Sequence, residues 1–362
     1  ARFLAAFVCL GNGVYRLSGV PRMHERPQAA LFKSLRELGY RLESQNDKLP
    51  AVIFGEGLGE KIRSCSVSIE QSSQFASALL LSAIPGRWSV KITGENAEES
   101  PYVAMTSELI KAFPMQGGTF QIEPDASSGS YFWAADRLVP ESRKPEPSDA
   151  VQAAEMTCSY ICVAQWPETG WQIDQHFPMV LMKHPSLYFG ARQLDALREL
   201  SRSGINSAVM EVSVVSRQTD LGDSIMTAIV LAPFAGAAIR FTDLGRLRVQ
   251  ECERVVALRT ELTKCGARVE ENGDTLTVYP SQLRGAEIET YDDHRMAMCF
   301  AILGLKVPGI RIKNPACVKK TFPNFFQKLA ADAPHGLGVK IYDPKKDPEK
   351  KHPLTHEELF AD

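Results

Sequence analysis

Hydrophobic and polar positions along the chain repeat as one unit. A polar helix start is followed by about three turns of mostly apolar residues, a glycine, and a short alternating strand. Asp293 to Leu305 leads through Gly309 into Ile310-Arg311-Ile312. Asp223-Ser224-Ile225-Met226-Thr227 leads through Gly236 into Ala238 to Phe241. Ser72-Ser73-Gln74-Phe75 leads through Gly86 into Trp88 to Ile92, and Ala1-Arg2-Phe3-Leu4 leads through Gly13 into Val14 to Leu17. Asp125-Ala126-Ser127-Ser128 opens a fifth copy, whose strand is displaced by inserted sequence. Helices alternating with strands predict an α/β fold. Helices apolar nearly all round are predicted to be buried. Their polar first turns are then expected to aim several N-termini at one anionic ligand, because free N–H groups and the helix dipole favour negative charge there.

The densest polar start is Tyr291-Asp292-Asp293-His294-Arg295, set directly against the apolar run Met296 to Leu305. Asp293 is a good N-cap residue and places His294 and Arg295 in the first turn. Two readings fit this stretch: an anion site, or a capped core helix that carries a chance arginine.

Along the chain, the first helix begins at residue 1 without capping residues. Its N–H groups lack partners, so the expectation is a fragment with sequence upstream. Pro21 and Pro27 bracket Arg22, Met23, His24, Glu25 and Arg26, ahead of an amphipathic helix ending near Leu38. The cluster reads either as a solvated turn or as a place where Arg26 grips a carboxylate or phosphate in fork geometry. Residues 40–56 read as a hairpin turning at Asn46-Asp47, and Pro101-Tyr102 begins another helix. Pro, Ser, Glu and Lys between Pro140 and Ala150 suggest a linker, and residues 151–200 show no repeat. Trp166, Trp171, His176 and His184 are assigned to local packing, and the repeat resumes from Ser207. Leu247 to Arg254 occupies the place in its repeat that Arg22 to Arg26 occupies in the first. Thr321 is the predicted N-cap of the last helix, with Pro323 in its first turn. Residues 333–362, rich in Lys, Asp, Pro and His, are expected to form a mobile tail.

Charge and composition narrow the class. A net charge of −2 supplies no basic field for nucleic acid or an anionic membrane, and no apolar run is long enough to span a bilayer. Arg2 followed by Phe3 to Leu10 imitates a signal-peptide core but lacks a cleavage site. The eight cysteines show no framework spacing and read as free thiols of a reducing, cytoplasmic compartment. Cys158 and Cys162 form a lone pair without a second, which argues against zinc.

Several of these segments together resemble one family. Tyr291 to Met298 and Lys320-Thr321-Phe322-Pro323 resemble the C-terminal signature of 5-enolpyruvylshikimate-3-phosphate synthase, or 3-phosphoshikimate 1-carboxyvinyltransferase. Arg22-Met23-His24-Glu25-Arg26-Pro27 resembles the family's R-M-x-E-R-P signature. Ser72 to Phe75, Asp125 to Ser128, and Asp223 with Met226-Thr227 follow in family order. The resemblance implies a two-domain enolpyruvyl transferase fold, an inside-out α/β barrel of βαβαββ repeats with the first repeat missing. Expected divisions are 1–124 as the remainder of the N-terminal lobe, 125–332 as the C-terminal lobe with an insertion near 138–200, and the tail.

The implied reaction joins phosphoenolpyruvate to the 5-hydroxyl of shikimate 3-phosphate and releases phosphate, a step of the shikimate pathway toward chorismate and the aromatic amino acids. By resemblance Asp223 accepts a proton and Glu251 donates one. Arg26, Arg254, Arg295 and Lys320 resemble the phosphoenolpyruvate ligands, and Ser72, Ser73 and Gln74 would hold the phosphoshikimate beside Tyr102. Gln250 stands where the family has a lysine contacting that substrate, and His294 orients neighbouring groups. Glu99 replaces a serine near the phosphoshikimate, and a carboxylate there repels phosphate unless it points away. Glu251 lies close to Arg254 in sequence, which favours its charged form and runs against an acid role. No metal, organic cofactor, nucleic acid or membrane partner is implied, and a monomer is expected. The alternative is a non-catalytic truncated relative acting as a binding domain.

Overall fold

The computed structural model describes residues 1–96, 99–139, 161, 163–183 and 212–361. The 140–150 linker, His184, Cys158, Cys162, Ser207 and most of the expected insertion lie outside the described residues. The chain divides into two compact units, Ala1–Ile122 with Thr169–Gln172, and Glu123–Glu168 with Ile173–Asp362.

In the first unit, helix α1 (Arg2–Phe7) precedes strand β1 (Asn12–Leu17). β1 pairs antiparallel with β3 (Ala51–Glu56), and β3 also pairs antiparallel with β2 (Leu42–Ser44). The β2–β3 pair is the hairpin read at 40–56, with Leu42 opposite Ile53 and Ser44 opposite Ala51. Asp47 takes the left-handed conformation in its turn, at φ 53°. Pro21 to Arg26 is not an irregular turn. Pro21 starts a short helix, α2 (Pro21–Glu25), as a proline's fixed φ permits at a first helical position. It is followed by α3 (Ala29–Glu37). Strands β4 (Arg63–Ser68) and β5 (Trp88–Thr93) run parallel, so a crossover must join them. The crossover is α4 (Ser73–Gly86), capped by Ser72, whose hydroxyl accepts from the Gln74 amide. α4 buries Phe75, Ala76, Ala78 and Leu79 in one core with Leu31, Phe32 and Leu35 of α3. Helix α5 (Ser100–Ala112) completes the unit, with Pro101 in its first turn.

The second unit repeats the strand–helix–parallel strand theme. Asp125 caps α6 (Ala126–Leu138), accepting from the Ser128 amide at 3.3 Å. A single turn at Ile173–His176 leads into α7 (Phe177–Lys183). Strand β6 (Ser213–Ser216) pairs parallel with β7 (Ile239–Thr242), and α8 (Ile225–Leu231) crosses between them. β8 (Val269–Asn272) and β9 (Thr275–Val278) form a tight hairpin that extends the sheet in the order β6-β7-β9-β8. Helix α9 (Arg254–Lys264) precedes that hairpin. Strands β10 (Glu287–Ile288) and β11 (Arg311–Ile312) form a second parallel pair, bridged by α10 (His294–Leu303). Every residue of α8 is buried, and in α10 only Arg295 and Ala301 are not, as expected for helices apolar all round. Both belong to one core with Tyr131, Phe177, Phe241 and Phe325.

The start of the last helix differs from expectation. α11 runs Phe325–Ala330, and Thr321 instead closes a tight helical segment, Pro315–Lys320. Pro323 disfavours a helical conformation at Phe322, so no helix propagates through it. Residues 333–361 contain no helix or strand, yet Leu359 and Ala361 are buried and the Ala361 amide donates to the Pro323 carbonyl at 3.0 Å. Among the described residues no helix is long and apolar enough to cross a membrane.

Candidate active site

The second unit gathers charge at the starts of α6, α8, α9 and α10. Asp293 caps α10 as its sequence predicts, its Oδ1 accepting from the Arg295 amide at 2.9 Å. Tyr291 and Asp292 reach that cap through two successive left-handed residues, each at φ 55°. The same Asp293 carboxylate, fully buried, is clasped by Arg254 from the first position of α9. Arg254 Nε lies 2.6 Å from Oδ2 and Nη2 lies 3.2 Å from Oδ1. Arg254 is only 1% exposed and also reaches Glu251 Oε2 at 2.9 Å, Asp223 Oδ2 at 3.6 Å and the Gln250 side-chain carbonyl.

Asp223 is the centre of this cluster. Arg217 Nη2 donates to its Oδ1 at 3.0 Å, Arg295 Nε stands 3.4 Å from Oδ2, and Gln250 Nε2 approaches Oδ1 at 3.4 Å. Burial acts to raise the Asp223 pKa, but the charges of Arg295, Arg217 and Arg254 overcome it and hold the carboxyl far below the usual range. Glu251 is bonded on its other oxygen by Lys320 Nζ. Burial pushes its pKa up, Arg254 and Lys320 push it down, and the balance leaves it at about 2. Both carboxyls are therefore ionised at neutral pH. Burial lowers the pKa of Arg295, but Asp223, Asp174 and Asp125 are among the groups that raise it well above the ordinary value. Carboxylates at the starts of α6 and α8 thus bear on the one guanidinium at the start of α10.

His294 is 4% exposed, and its Nδ1 makes no hydrogen bond. Burial, with help from Arg295, lowers its pKa from 6.5 to about 4, so it is neutral near pH 7. This has a consequence for folding. Between pH 6.5 and 4 the unfolded chain protonates this histidine and the folded one does not, so stability falls as pH falls through that window. The contribution is on the order of 3 kcal/mol. His294→Gln is expected to flatten the pH dependence of the urea midpoint between pH 6.5 and 4. A slope equal to that of the parent would refute the assignment.

The first unit holds a second polar constellation at the start of α4. Arg2, 5% exposed, donates to Ser72 Oγ at 2.9 Å, to Gln74 Oε1 at 3.0 Å and to the Pro27 carbonyl at 3.1 Å. It also lies over the Phe75 ring, 4.7 Å from the centroid. The segment ending in Arg26-Pro27 is thereby tied to Ser72 and Gln74. Glu99 does not point away from this helix start. It is 4% exposed and its Oε2 accepts from the Ser73 amide at 2.5 Å, which satisfies a donor the helix leaves open. Tyr102, half-buried in the first turn of α5, follows one turn after Glu99, its amide donating to the Glu99 carbonyl at 3.2 Å.

Of the residues singled out by sequence, Asp223, Gln250, Glu251, Arg254, His294, Arg295 and Lys320 fall in one cluster of the second unit. Arg26, Ser72, Ser73, Gln74 and Tyr102 belong to the first unit. Sequence reasoning missed Arg2, Arg217 and Asp174 as members of these groups, and saw Asp293 only as a cap. Arg2 carried a signal, a charged residue at a repeat's helix start, whereas Arg217 and Asp174 carried none.

Comparison with known proteins identifies the family. The family model described as EPSP synthase (3-phosphoshikimate 1-carboxyvinyltransferase) matches residues 1–142 and 203–329. A 3-phosphoshikimate 1-carboxyvinyltransferase of Nostoc punctiforme is 32% identical over 350 residues, covering 91% of this chain and 76% of that protein. One from a Sulfurovum species is 35% identical over 355 residues, covering 91% and 75%. Among solved structures, an EPSP synthase from Acinetobacter baumannii superposes with a TM-score of 0.55 at 16% identity, covering 91% of this chain and 75% of that one. That likeness gives the fold, the two-domain α/β fold of the enolpyruvyl transferases. On the strength of the family match and of relatives above 30% identity across most of both chains, this protein belongs to the EPSP synthase (3-phosphoshikimate 1-carboxyvinyltransferase) family.

Proposed function

We propose that the Asp223 cluster is the reaction centre for enolpyruvyl transfer from phosphoenolpyruvate to the 5-hydroxyl of shikimate 3-phosphate. The observation that carries this is the set of cations around two carboxylates. Arg217, Arg254 and Arg295 surround Asp223, while Arg254 and Lys320 flank Glu251. Phosphoenolpyruvate brings a phosphate and a carboxylate, and guanidinium groups match both in fork geometry. Arg254, Arg295 and Lys320, with Arg26, are its ligands in this reading. Ser72, Ser73 and Gln74 hold the phosphoshikimate beside Tyr102, with Gln250 a further contact, and His294, neutral at pH 7, orients its neighbours.

The reaction is an addition followed by an elimination. The hydroxyl oxygen bonds to the central carbon of phosphoenolpyruvate while its proton passes to Asp223, and the methylene carbon gains a proton from Glu251. Phosphate then leaves with its bonding electron pair, taking up the proton held by Asp223, and the methyl carbon gives a proton back to the Glu251 carboxylate as the double bond is restored. A base and an acid pinned as carboxylates by nearby cations are both poor at these tasks. The substrate resolves this. Its anionic groups take Arg254, Arg295 and Lys320 as partners and neutralise the charges that depress both carboxyls. Glu251 can then hold the proton it must give, and Asp223 becomes basic enough to accept one.

A cytoplasmic, monomeric enzyme completes the reading, and the buried free thiols Cys9, Cys65, Cys265 and Cys299 suit a reducing compartment. The test is phosphate release by the full-length protein, expected only when phosphoenolpyruvate and shikimate 3-phosphate are both present. Calorimetric binding of both without release would instead identify a binding module.

A further inference from the structure

Asp174 lies in the single turn Ile173–His176, between the two stretches that the family model matches, and is 6% exposed. Its carboxylate accepts from four donors. Oδ1 takes the Gly222 amide at 2.8 Å, the Ser224 amide at 3.0 Å and the Ser224 hydroxyl at 2.5 Å. Oδ2 takes the Ser127 hydroxyl of α6. Gly222 and Ser224 are the residues on either side of Asp223, so a buried carboxylate fixes the main chain before and after the central residue of the cluster. Three arginines draw on the Asp223 side chain, and among the described residues Asp174 is the side chain that grips both flanking amides.

The Asp223 peptide enters α8 with N–H groups that have no partner within the helix. Left unsatisfied in a buried setting, these donors would turn toward other acceptors and carry Asp223 with them. We infer that Asp174 is a positioning residue for the transfer reaction, holding Asp223 at the orientation from which it takes the hydroxyl proton. This rests on the reading of Asp223 as proton acceptor, and the experiment separates the two.

Asp174→Ala, Asp223→Asn and the double variant are compared in the full-length protein by steady-state phosphate release, with urea unfolding as a check on folding. Asp174→Ala is expected to lower kcat about 10- to 100-fold, as displacing a reacting group by about 1 Å can do, with KM for both substrates within about threefold. In the Asp223→Asn background the same change is expected to cost nothing further, because it acts through Asp223. Asp174→Asn can accept from the backbone donors through its carbonyl and donate to Ser127 Oγ, so it is expected to recover most of the loss. Should Asp174→Ala fail to fold cooperatively, Ser224→Ala removes one of the four hydrogen bonds, and about a fivefold fall in kcat with unchanged KM is expected. Parent kcat in a folded Asp174→Ala or Ser224→Ala protein, or a loss that adds in full to that of Asp223→Asn, overturns the positioning role. Full activity of Asp223→Asn overturns instead the reading of the acceptor.

Discussion

Asp223→Asn lowers kcat by roughly a hundred- to ten-thousand-fold, the range associated with losing a positioned proton acceptor. The substitution is nearly isosteric. It keeps one oxygen, which can still accept from Arg217 as Oδ1 does at 3.0 Å, and puts an NH2 in place of the Oδ2 that Arg295 approaches at 3.4 Å, removing the charge and the basic lone pairs. KM for phosphoenolpyruvate is expected to stay level or fall, because the amide no longer competes with an anionic substrate for three guanidinium groups. A fall in kcat without a rise in KM marks an interaction realised in the transition state. An unchanged kcat, measured by phosphate release at saturation, would mean that the proton leaves by another route.

The second large effect is on stability. Arg254→Ala is expected to cost about 3–5 kcal/mol, the usual result of removing one partner from a buried ion pair. Arg254 is 1% exposed and Asp293 fully buried, so without the guanidinium the Asp293 carboxylate keeps only hydrogen bonds such as that from the Arg295 amide. Asp223 and Glu251 lose a counter-charge in the same step. Arg254→Lys is expected to recover only part of this, since an ammonium cannot span Asp293 and Glu251 as a planar fork does. Urea unfolding reads the difference directly. A midpoint within error of the parent for Arg254→Ala would show that water or another cation fills its place.

The sequence made the local units legible because each is set by neighbours a few positions apart. Apolar residues at helical spacing behind Asp293 defined α10 and its cap, and the alternation about Asn46-Asp47 defined the β2–β3 hairpin. Thr321 shows the limit of such local rules: it satisfied the residue preference of an N-cap, but the proline two positions later kept the chain out of a helix until Phe325. Long-range pairing was less accessible. Asp293 and Arg254 are 39 residues apart, and Arg2 and Ser72 are 70 apart, so no local pattern encodes either contact. Family order brought Arg254 and Asp223 into the candidate set, but it could not reveal that Glu99 would bond to the Ser73 amide instead of turning away. Asp174 stood in a stretch with no periodicity, where a single acidic residue is indistinguishable from a solvated one.

The corner at Tyr291 and Asp292 restricts the residue alphabet open to evolution beside this cluster. Two adjacent positions at φ 55° admit glycine and asparagine readily and penalise branching at Cβ. Drift toward valine or isoleucine there would swing His294 and Arg295 off their bearings without altering either of them. Sequence change just upstream of α10 can therefore silence the protein while leaving its charged machinery intact.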